Sequence, residues 1–354
     1  MKSAVVESWP DEALERLNHC PVCGETRRST LYTELTDRDY GCAPGTWTLR
    51  KCQRCSSAYL DPRPTQETID RAYANYYEGA RDPRQRLRRV GVIPTLRRAL
   101  RNGYLNARYG YSLRPASRIG AFVAPLIPRQ KERADRSVMY LPRTRARPIL
   151  LDVGCGDGAF LLEMQAAGWC VVGIEPNADA VALARGAGLD VRSGVLERET
   201  FPAHAFDAIT LMGVLELLHD PVETLKMCRN LLRPGGVLAV ATPNLSSQGH
   251  AFFGREWLLL SPPRSLVLFT PDSLTLALHR AGFERVELRP SRRTEWVFRL
   301  SAALAAGAEP FRNPRQLPWQ LRVRARIADF RAAGNPRISE ELICLGRTPS
   351  AATS

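Results

Sequence analysis

Four cysteines near the N-terminus stand in two pairs, Cys20 and Cys23 in HCPVCG and Cys52 and Cys55 in RKCQRCS. The spacing is C-x2-C-x28-C-x2-C. Two such turns offer four thiolates in a tetrahedral arrangement suited to zinc, and the long gap suits a ribbon with an inserted hairpin. Four protein ligands leave no coordination position for water or substrate, so the expected role is folding. A redox CxxC needs one pair in a thioredoxin-like setting, which this stretch lacks. A second group of residues lies at 149–160, ILLDVGCGDGAF. Gly154, Gly156 and Gly158 follow an apolar run that carries Asp152. A dinucleotide loop reads G-x-G-x-x-G, and here the third glycine is one residue early. Asp152 and Asp157 place negative charge where a diphosphate would lie, so the loop suits a ligand with a cationic or neutral group at the turn. Glu175 ends the next apolar run, VVGIEP, where a carboxylate can accept both ribose hydroxyls of an adenosine.

These residues need elements to hold them. From residue 149 short apolar runs alternate with helical stretches: ILLDVG, GAFLLEMQAAG, CVVGIEP, ADAVALARGAG, LDVRSG, FDAITLMG, PVETLKMCRNLLRPGG and VLAVATPN. That series predicts an α/β domain with a mostly parallel sheet covered on both faces. A ligand is then expected beyond the carboxyl ends of the strands, where the glycine loop and Glu175 sit. TPDSLTLALHRAGF predicts a further helix with Pro271 in its first turn. RVELRP and ELICLGRT predict the last two strands, with helical sequence inserted at about 291–339. Upstream, Thr65 is expected to cap a helix over TQETIDRAYANYY. The expected organisation is a cysteine module over 1–62, a basic helical linker or lid over 63–148, and the α/β domain over 149–354.

Composition narrows the class. The chain has 354 residues, 44% of them hydrophobic, enough for a substantial core. It lacks an apolar run of about eighteen residues and a secretory leader pattern, so a cytosolic protein is expected. Nine cysteines, an odd number, fit a reducing compartment. The net charge is +14, and residues 81–148 hold 18 Lys/Arg against three Asp/Glu, so this segment accounts for the whole surplus.

LDVGCGDG, GIEP, FDAITLMGVLE, LLRPGG and TPN occur in the order and spacing of class I S-adenosylmethionine-dependent methyltransferases, which this chain resembles over about 149–290 and the last strand. The resemblance implies a Rossmann-like sheet ordered 3-2-1-4-5-7-6 with strand 7 antiparallel, and S-adenosylmethionine as cofactor. It implies contacts from Asp152, Gly154, Cys155, Gly156 and Gly158 to the methionine part, and from Glu175 and Pro176 to the ribose. It places Val195 and Leu196 at the adenine, and Met212 and Gly213 on the methyl-donor side. With CPVCG, CQRCS, YLDPRPT and YANYY ahead of these motifs, the chain also resembles a bacterial group of zinc-ribbon methyltransferases. Many of that group act on sugars, glycolipids or other secondary metabolites.

The resemblance bears on the acceptor too. Methyltransferases acting on exocyclic amino groups of bases carry N/D-P-P-Y/F after strand four, where this chain has MGVLELL, so oxygen, and after it carbon, is the expected acceptor atom. The expected acceptor is a sugar-containing or lipid-linked metabolite. Relatives commonly show histidine at the positions of Gly213, Leu217 and Ser265. Glu216 and His219 remain as candidate catalytic groups, Glu216 as base or orienting group with a role complementing a helix dipole as the alternative, and His219 with a capping or surface role as the alternative. The missing histidines also admit a non-catalytic cofactor-binding partner protein. The basic segment has three readings: a solvated lid, a peripheral patch on an anionic membrane, and an RNA surface. The apolar IGAFVAPLIP (119–128), flanked by Arg118, Arg129, Lys131 and Arg133, carries the second. Tyr104, Tyr109 and Tyr111 as base-stacking platforms carry the third. A zinc module joined to this fold also resembles certain rRNA guanine methyltransferases, although the long insert and the residues after strand four disfavour nucleic acid.

Overall fold

The computed structural model describes residues 9–73, 92–197, 200–311 and 316–350. The N-terminal module contains β1 (Leu14–Glu15), β2 (Arg28–Leu35), β3 (Trp47–Cys52), β4 (Ala58–Leu60) and β5 (Arg63–Pro64). β2 and β3 form the antiparallel hairpin between the cysteine pairs, and β4 returns along β3. The helix expected from Thr65 is a turn over Thr65–Thr68 followed by a 3-10 helix at Ile69–Tyr73. The rest of that expected helix lies outside the described residues.

Three helices follow, α1 (Val92–Tyr109), α2 (Gly120–Leu126) and α3 (Pro128–Ser137). α1 meets the chain around α2 at two glycines. A Cβ on Gly103 would lie 1.8 Å from the Ser117 carbonyl oxygen, and one on Gly120 1.9 Å from that of Leu100. Tyr104 and Tyr109 donate to Asp135 Oδ1 at 2.7 and 2.8 Å, and Tyr111 donates to the Leu141 carbonyl. All three rings are buried. This corrects the stacking role expected of them: they hold the helices together, and their faces are not open to bases.

The α/β domain runs β6 (Ile149–Val153), α4 (Ala159–Ala166), β7 (Cys170–Glu175), α5 (Ala178–Gly186), β8 (Val191–Ser193), β9 (Phe206–Met212), α6 (Pro221–Leu231) and β10 (Leu232–Pro243). α7 (Gln248–Phe253), β11 (Val267–Leu268), α8 (Pro271–Arg280), β12 (Arg285–Arg289), α9 (Thr294–Ala305), α10 (Trp319–Gly334) and β13 (Glu341–Arg347) complete it. The sheet order is β12-β13-β10-β9-β6-β7-β8, with β13 antiparallel to both neighbours. Numbered within the domain, this is 3-2-1-4-5-7-6, as expected. α6 stops at Leu231 rather than at Gly236, because the RPGG stretch enters β10 through a register shift between Leu232 and Val237.

The strands read as continuous apolar runs because both faces are covered. Leu150, Ala208 and Ala239 pack with Tyr104, Leu105 and Val138 of the basic helical segment. Leu151, Ile209 and Val240, the alternate positions, pack with Leu225 of α6 and Leu274 of α8. That second cluster also takes in Trp9, Trp47 and Tyr59 of the cysteine module. β11 leaves the central sheet and pairs with β4, giving a second sheet ordered β11-β4-β3-β2. Arg264, just before β11, is buried against Asp37 and Asp39 at 2.6 and 2.7 Å and donates to the Ala72 carbonyl. The module and the α/β domain therefore share a sheet, a core and a buried ion cluster.

Candidate active site

Capping fixes where the site elements begin. Asn177 accepts from Ala180 N at the start of α5, and Asp220 accepts from Glu223 N ahead of Pro221 in α6. The turn from β6 into α4 has Gly154, Gly156 and Gly158 at φ 69°, 55° and 80°, the left-handed region. A Cβ on Gly154 would lie 2.5 Å from Val214 Cγ2, and one on Gly158 2.4 Å from Leu189 Cδ1. Nothing lies within 4 Å of a Cβ on Gly156, so that residue faces open space. The Cys155 thiol turns inward, since a Cβ on Gly173 would meet its Sγ at 2.6 Å. Cys155 is thus limited to its backbone in any contact at this face.

Glu175 ends β7, buried, with Oε2 accepting from Gly156 N at 2.9 Å and Oε1 from Asn177 N at 3.0 Å. Each carboxylate oxygen accepts more than one hydrogen bond, so fixing both this way leaves capacity for a diol. Pro176 and Val195 are exposed beside it, while Leu196 is buried in the core cluster. Asp152 is buried at the end of β6. Its Oδ1 accepts from Thr210 Oγ1 at 2.5 Å, and its Oδ2 is buried without a partner. Burial pushes its carboxyl up to about 7.

A cavity of about 340 Å³ opens beyond the ends of β9 and β10. Gly213, Glu216, Leu217, Ala241, Thr242 and Ser265 line it, and Met212 packs beneath the sheet. Glu216 lies on a 3-10 turn, Leu215–Leu217, whose carbonyl at Glu216 accepts from Leu266 N at 2.8 Å. Its Oε2 accepts from Thr242 Oγ1 at 2.9 Å, and burial raises its carboxyl from 4.5 to about 7. Three further carboxylates, Asp39, Glu340 and Glu341, line the cavity. Glu340 accepts from Trp257 Nε1 and Gly249 N, and burial raises it to about 7 as well. Burial alone would also raise Glu341, but Arg136 and Arg293 outweigh it and hold that carboxyl below its ordinary range.

His219 is placed elsewhere. Its Nε2 lies 2.9 Å from the Pro64 carbonyl oxygen, and Arg63 donates to the His219 carbonyl, so it ties the N-terminal module to the domain. It does not line the cavity. Several lining residues carry no local sequence signal: Asp39, Tyr40 and Tyr73 from the N-terminal module, Arg264, and Arg293 and Trp296 from α9 and the loop before it. Long-range pairing brings them in.

The cysteine sulfurs converge. Cys20 and Cys55 Sγ are 3.7 Å apart, Cys23 and Cys52 Sγ 3.5 Å, and all four lie within 4.8 Å of one another. Bonds of about 2.3 Å at tetrahedral angles put zinc-bound sulfurs roughly 3.8 Å apart, so the set fits zinc. The two turns are built alike: Gly24 N donates to the Cys20 carbonyl and Ser56 N to that of Cys52, with Gly24 and Ser56 both at positive φ. Ser57 Oγ lies 3.3 and 3.1 Å from the Cys20 and Cys55 sulfurs.

A family model for the methyltransferase domain matches residues 127–288. A ubiquinone biosynthesis O-methyltransferase of Cereibacter sphaeroides is 30% identical over 167 residues, covering 43% of this chain and 68% of that protein. The chain belongs to the S-adenosylmethionine-dependent methyltransferases. Proteins of the same name from Dinoroseobacter shibae and Aromatoleum aromaticum are 32% and 35% identical over 39% of this chain. The chain spans 60% and 65% of their lengths. A SAM-dependent methyltransferase structure from Archaeoglobus fulgidus superposes with a TM-score of 0.42 at 16% identity, covering 69% of this chain and 98% of that one. The family's cofactor is S-adenosylmethionine, and the residues present fit it. The open face at Gly156, the anchored Glu175 carboxylate, the orphaned Asp152 Oδ2 and exposed Val195 lie on the successive strand ends that such a ligand would cross.

Proposed function

We propose that the chain transfers a methyl group from S-adenosylmethionine to a hydroxyl oxygen of a sugar-containing or lipid-linked acceptor held in the 340 Å³ cavity. The carrying observation is Glu216, a buried carboxyl raised to about 7 in the cavity wall, within the turn that follows Gly213. When bound, the cofactor supplies a methyl group on a positively charged sulfur, open to in-line displacement by oxygen. Glu175 would hold its ribose, the 154–158 turn its methionine part, and Val195 would flank the base. Thr242 fixes one Glu216 oxygen, leaving Oε1 to receive the proton that the acceptor hydroxyl loses as the new O–C bond forms. A base with a value near neutral pH is matched to that task. Asp39, Glu340, Glu341 and Arg293 offer hydrogen-bonding partners to a polyhydroxylated acceptor, and Tyr73, Trp296 and Phe311 add aromatic surface for its C–H bonds. The volume falls in the range of small-molecule sites. Relatives named for O-methylation support oxygen over carbon.

The test is transfer of labelled methyl from S-adenosylmethionine to fractionated glycans, glycolipids and rRNA. Label in a glycan or glycolipid fraction, lost in Glu216→Gln with cofactor affinity kept, supports the reading. Label in rRNA, or normal turnover by Glu216→Gln, overturns it. One observation favours a second reading, a cofactor-binding partner without its own catalysis. Gly213, Leu217 and Ser265 all line the cavity, and no histidine is among its described lining residues. Cofactor binding with no labelled fraction would select that reading.

A further inference from the structure

We infer that the face built by α2 and α10 docks on the surface of an anionic lipid bilayer. On α10, Trp319, Val323, Ile327 and Phe330 are 70%, 47%, 47% and 80% exposed. At 3.6 residues per turn they fall within about 80° of arc. The residues α10 buries are small or paired, Ala325, Ala328, Asp329 and Ala332, on the opposite side. Leu321 packs inward with Phe298 and Leu317, but the other large apolar residues of the helix face outward and its alanines face the protein. Arg322 and Arg326 flank the stripe on one side and Arg324 and Arg331 on the other, all exposed. With its alanine side held by the protein, α10 presents rings suited to the acyl boundary and bordering guanidinium groups suited to anionic headgroups.

A second exposed apolar patch lies on α2. Phe122 and Leu126 of α2 are 76% and 78% exposed, with Arg118, Arg129 and Arg133 around them. Arg129, at the start of α3, pairs at 2.7 Å with Asp329 on the inner side of α10, so α3 meets α10. Single exposed apolar side chains are ordinary, but two clusters with basic borders are not. Charge decides the occupant. A second copy docked on this face through a two-fold axis would set arginines against arginines. Nucleic acid would engage the arginines and leave Trp319 and Phe330 in water. An anionic bilayer satisfies both, with headgroups for the arginines and the acyl boundary for the rings. No described helix is long and apolar enough to cross a membrane, so the contact is peripheral. This inference goes beyond the proposed methyl transfer and does not depend on it.

The test is co-sedimentation of the full chain with vesicles of phosphatidylcholine alone and of phosphatidylcholine with a third phosphatidylglycerol. Binding to the anionic vesicles, weakened by salt, is expected. Trp319→Ser with Phe330→Ser should lower partitioning by about tenfold or more. Arg322→Gln and Arg326→Gln should each lower it about fivefold on anionic vesicles. Both sets should keep wild-type circular dichroism and cofactor affinity, because the side chains are exposed and away from the site. Absence of sedimentation, equal binding to neutral vesicles, or unchanged partitioning of the Trp319/Phe330 variant overturns the inference. So does a dimer in light scattering that the Trp319/Phe330 substitutions dissociate, which would make the face a self-interface.

Discussion

Glu216→Gln should raise stability at alkaline pH while abolishing turnover. Burial lifts the Glu216 carboxyl from 4.5 to about 7. Between those values the unfolded chain has released the proton and the native chain keeps it. The unfolded state then binds fewer protons, so this residue's contribution falls as pH rises from about 4.5 to about 7 and is level above that. At 1.36 kcal/mol per pH unit the loss is about 3 kcal/mol. The substituted glutamine has no proton to lose, and its amide oxygen still accepts from Thr242. The variant should match the wild type near pH 4 and exceed it by up to about 3 kcal/mol near pH 8. Urea unfolding of both proteins across that range gives the difference directly. The raised carboxyls of Asp152 and Glu340 are common to both proteins and cancel. Turnover should fall on the order of 10²–10⁴-fold, the usual contribution of a positioned base. A stability difference independent of pH, or a variant weaker than wild type at high pH, would refute the reasoning. The first would mean an unshifted carboxyl and the second a site that favours the Glu216 anion, and in neither is its proton affinity poised near neutrality.

About one zinc per chain is expected by elemental analysis, and Cys52→Ser should lose it with a stability drop on the order of several kcal/mol. Because β11 pairs with β4 and the cores are shared, chelation should unfold the module and the α/β domain in one transition, visible by circular dichroism. Gly158→Ala should cost roughly 1–3 kcal/mol in denaturant unfolding, from its positive φ and the 2.4 Å approach to Leu189. Gly156→Ala should cost about 1–2 kcal/mol from φ alone, yet weaken S-adenosylmethionine in calorimetry, since its new methyl group enters the open face. Arg264→Met strands Asp37 and Asp39 in the interior and should cost about 3–5 kcal/mol by the same unfolding measurement.

Much of this was legible in local sequence. The cysteine spacing marked the two thiolate turns, and the apolar runs from 149 onward marked the strands, because burial on both faces leaves an uninterrupted signal. Glycines 154, 156 and 158 were readable as a group, but which two are demanded by neighbours depends on Val214 and Leu189, which only the fold brings near. Glu216 has apolar neighbours in Val214, Leu215 and Leu217, whereas its partner Thr242 lies across the β9–β10 ends. The stacking role given to Tyr104, Tyr109 and Tyr111 failed because composition does not say which way a ring points. Asp135, far along the chain, draws two of their hydroxyls inward. The cavity wall contributed by the N-terminal module was not legible at all. Arg264 and Asp37 are 227 residues apart, and no local pattern couples them. The outward stripe on α10 was present in the sequence at helical spacing. It reads as a core face until the structure shows alanines on the inner side.

Calorimetric titration with S-adenosylmethionine, on the wild type and on Glu175→Ala, tests the account most directly. The wild type should bind one equivalent per chain. With Glu175 on the ribose as proposed, Glu175→Ala removes two charge-assisted hydrogen bonds and should weaken binding by about 1.5–3 kcal/mol, roughly 10- to 150-fold. A wild type that does not bind, or a Glu175→Ala variant that binds equally well, would contradict the placement of the cofactor at the ends of β6 and β7 on which the proposed chemistry rests.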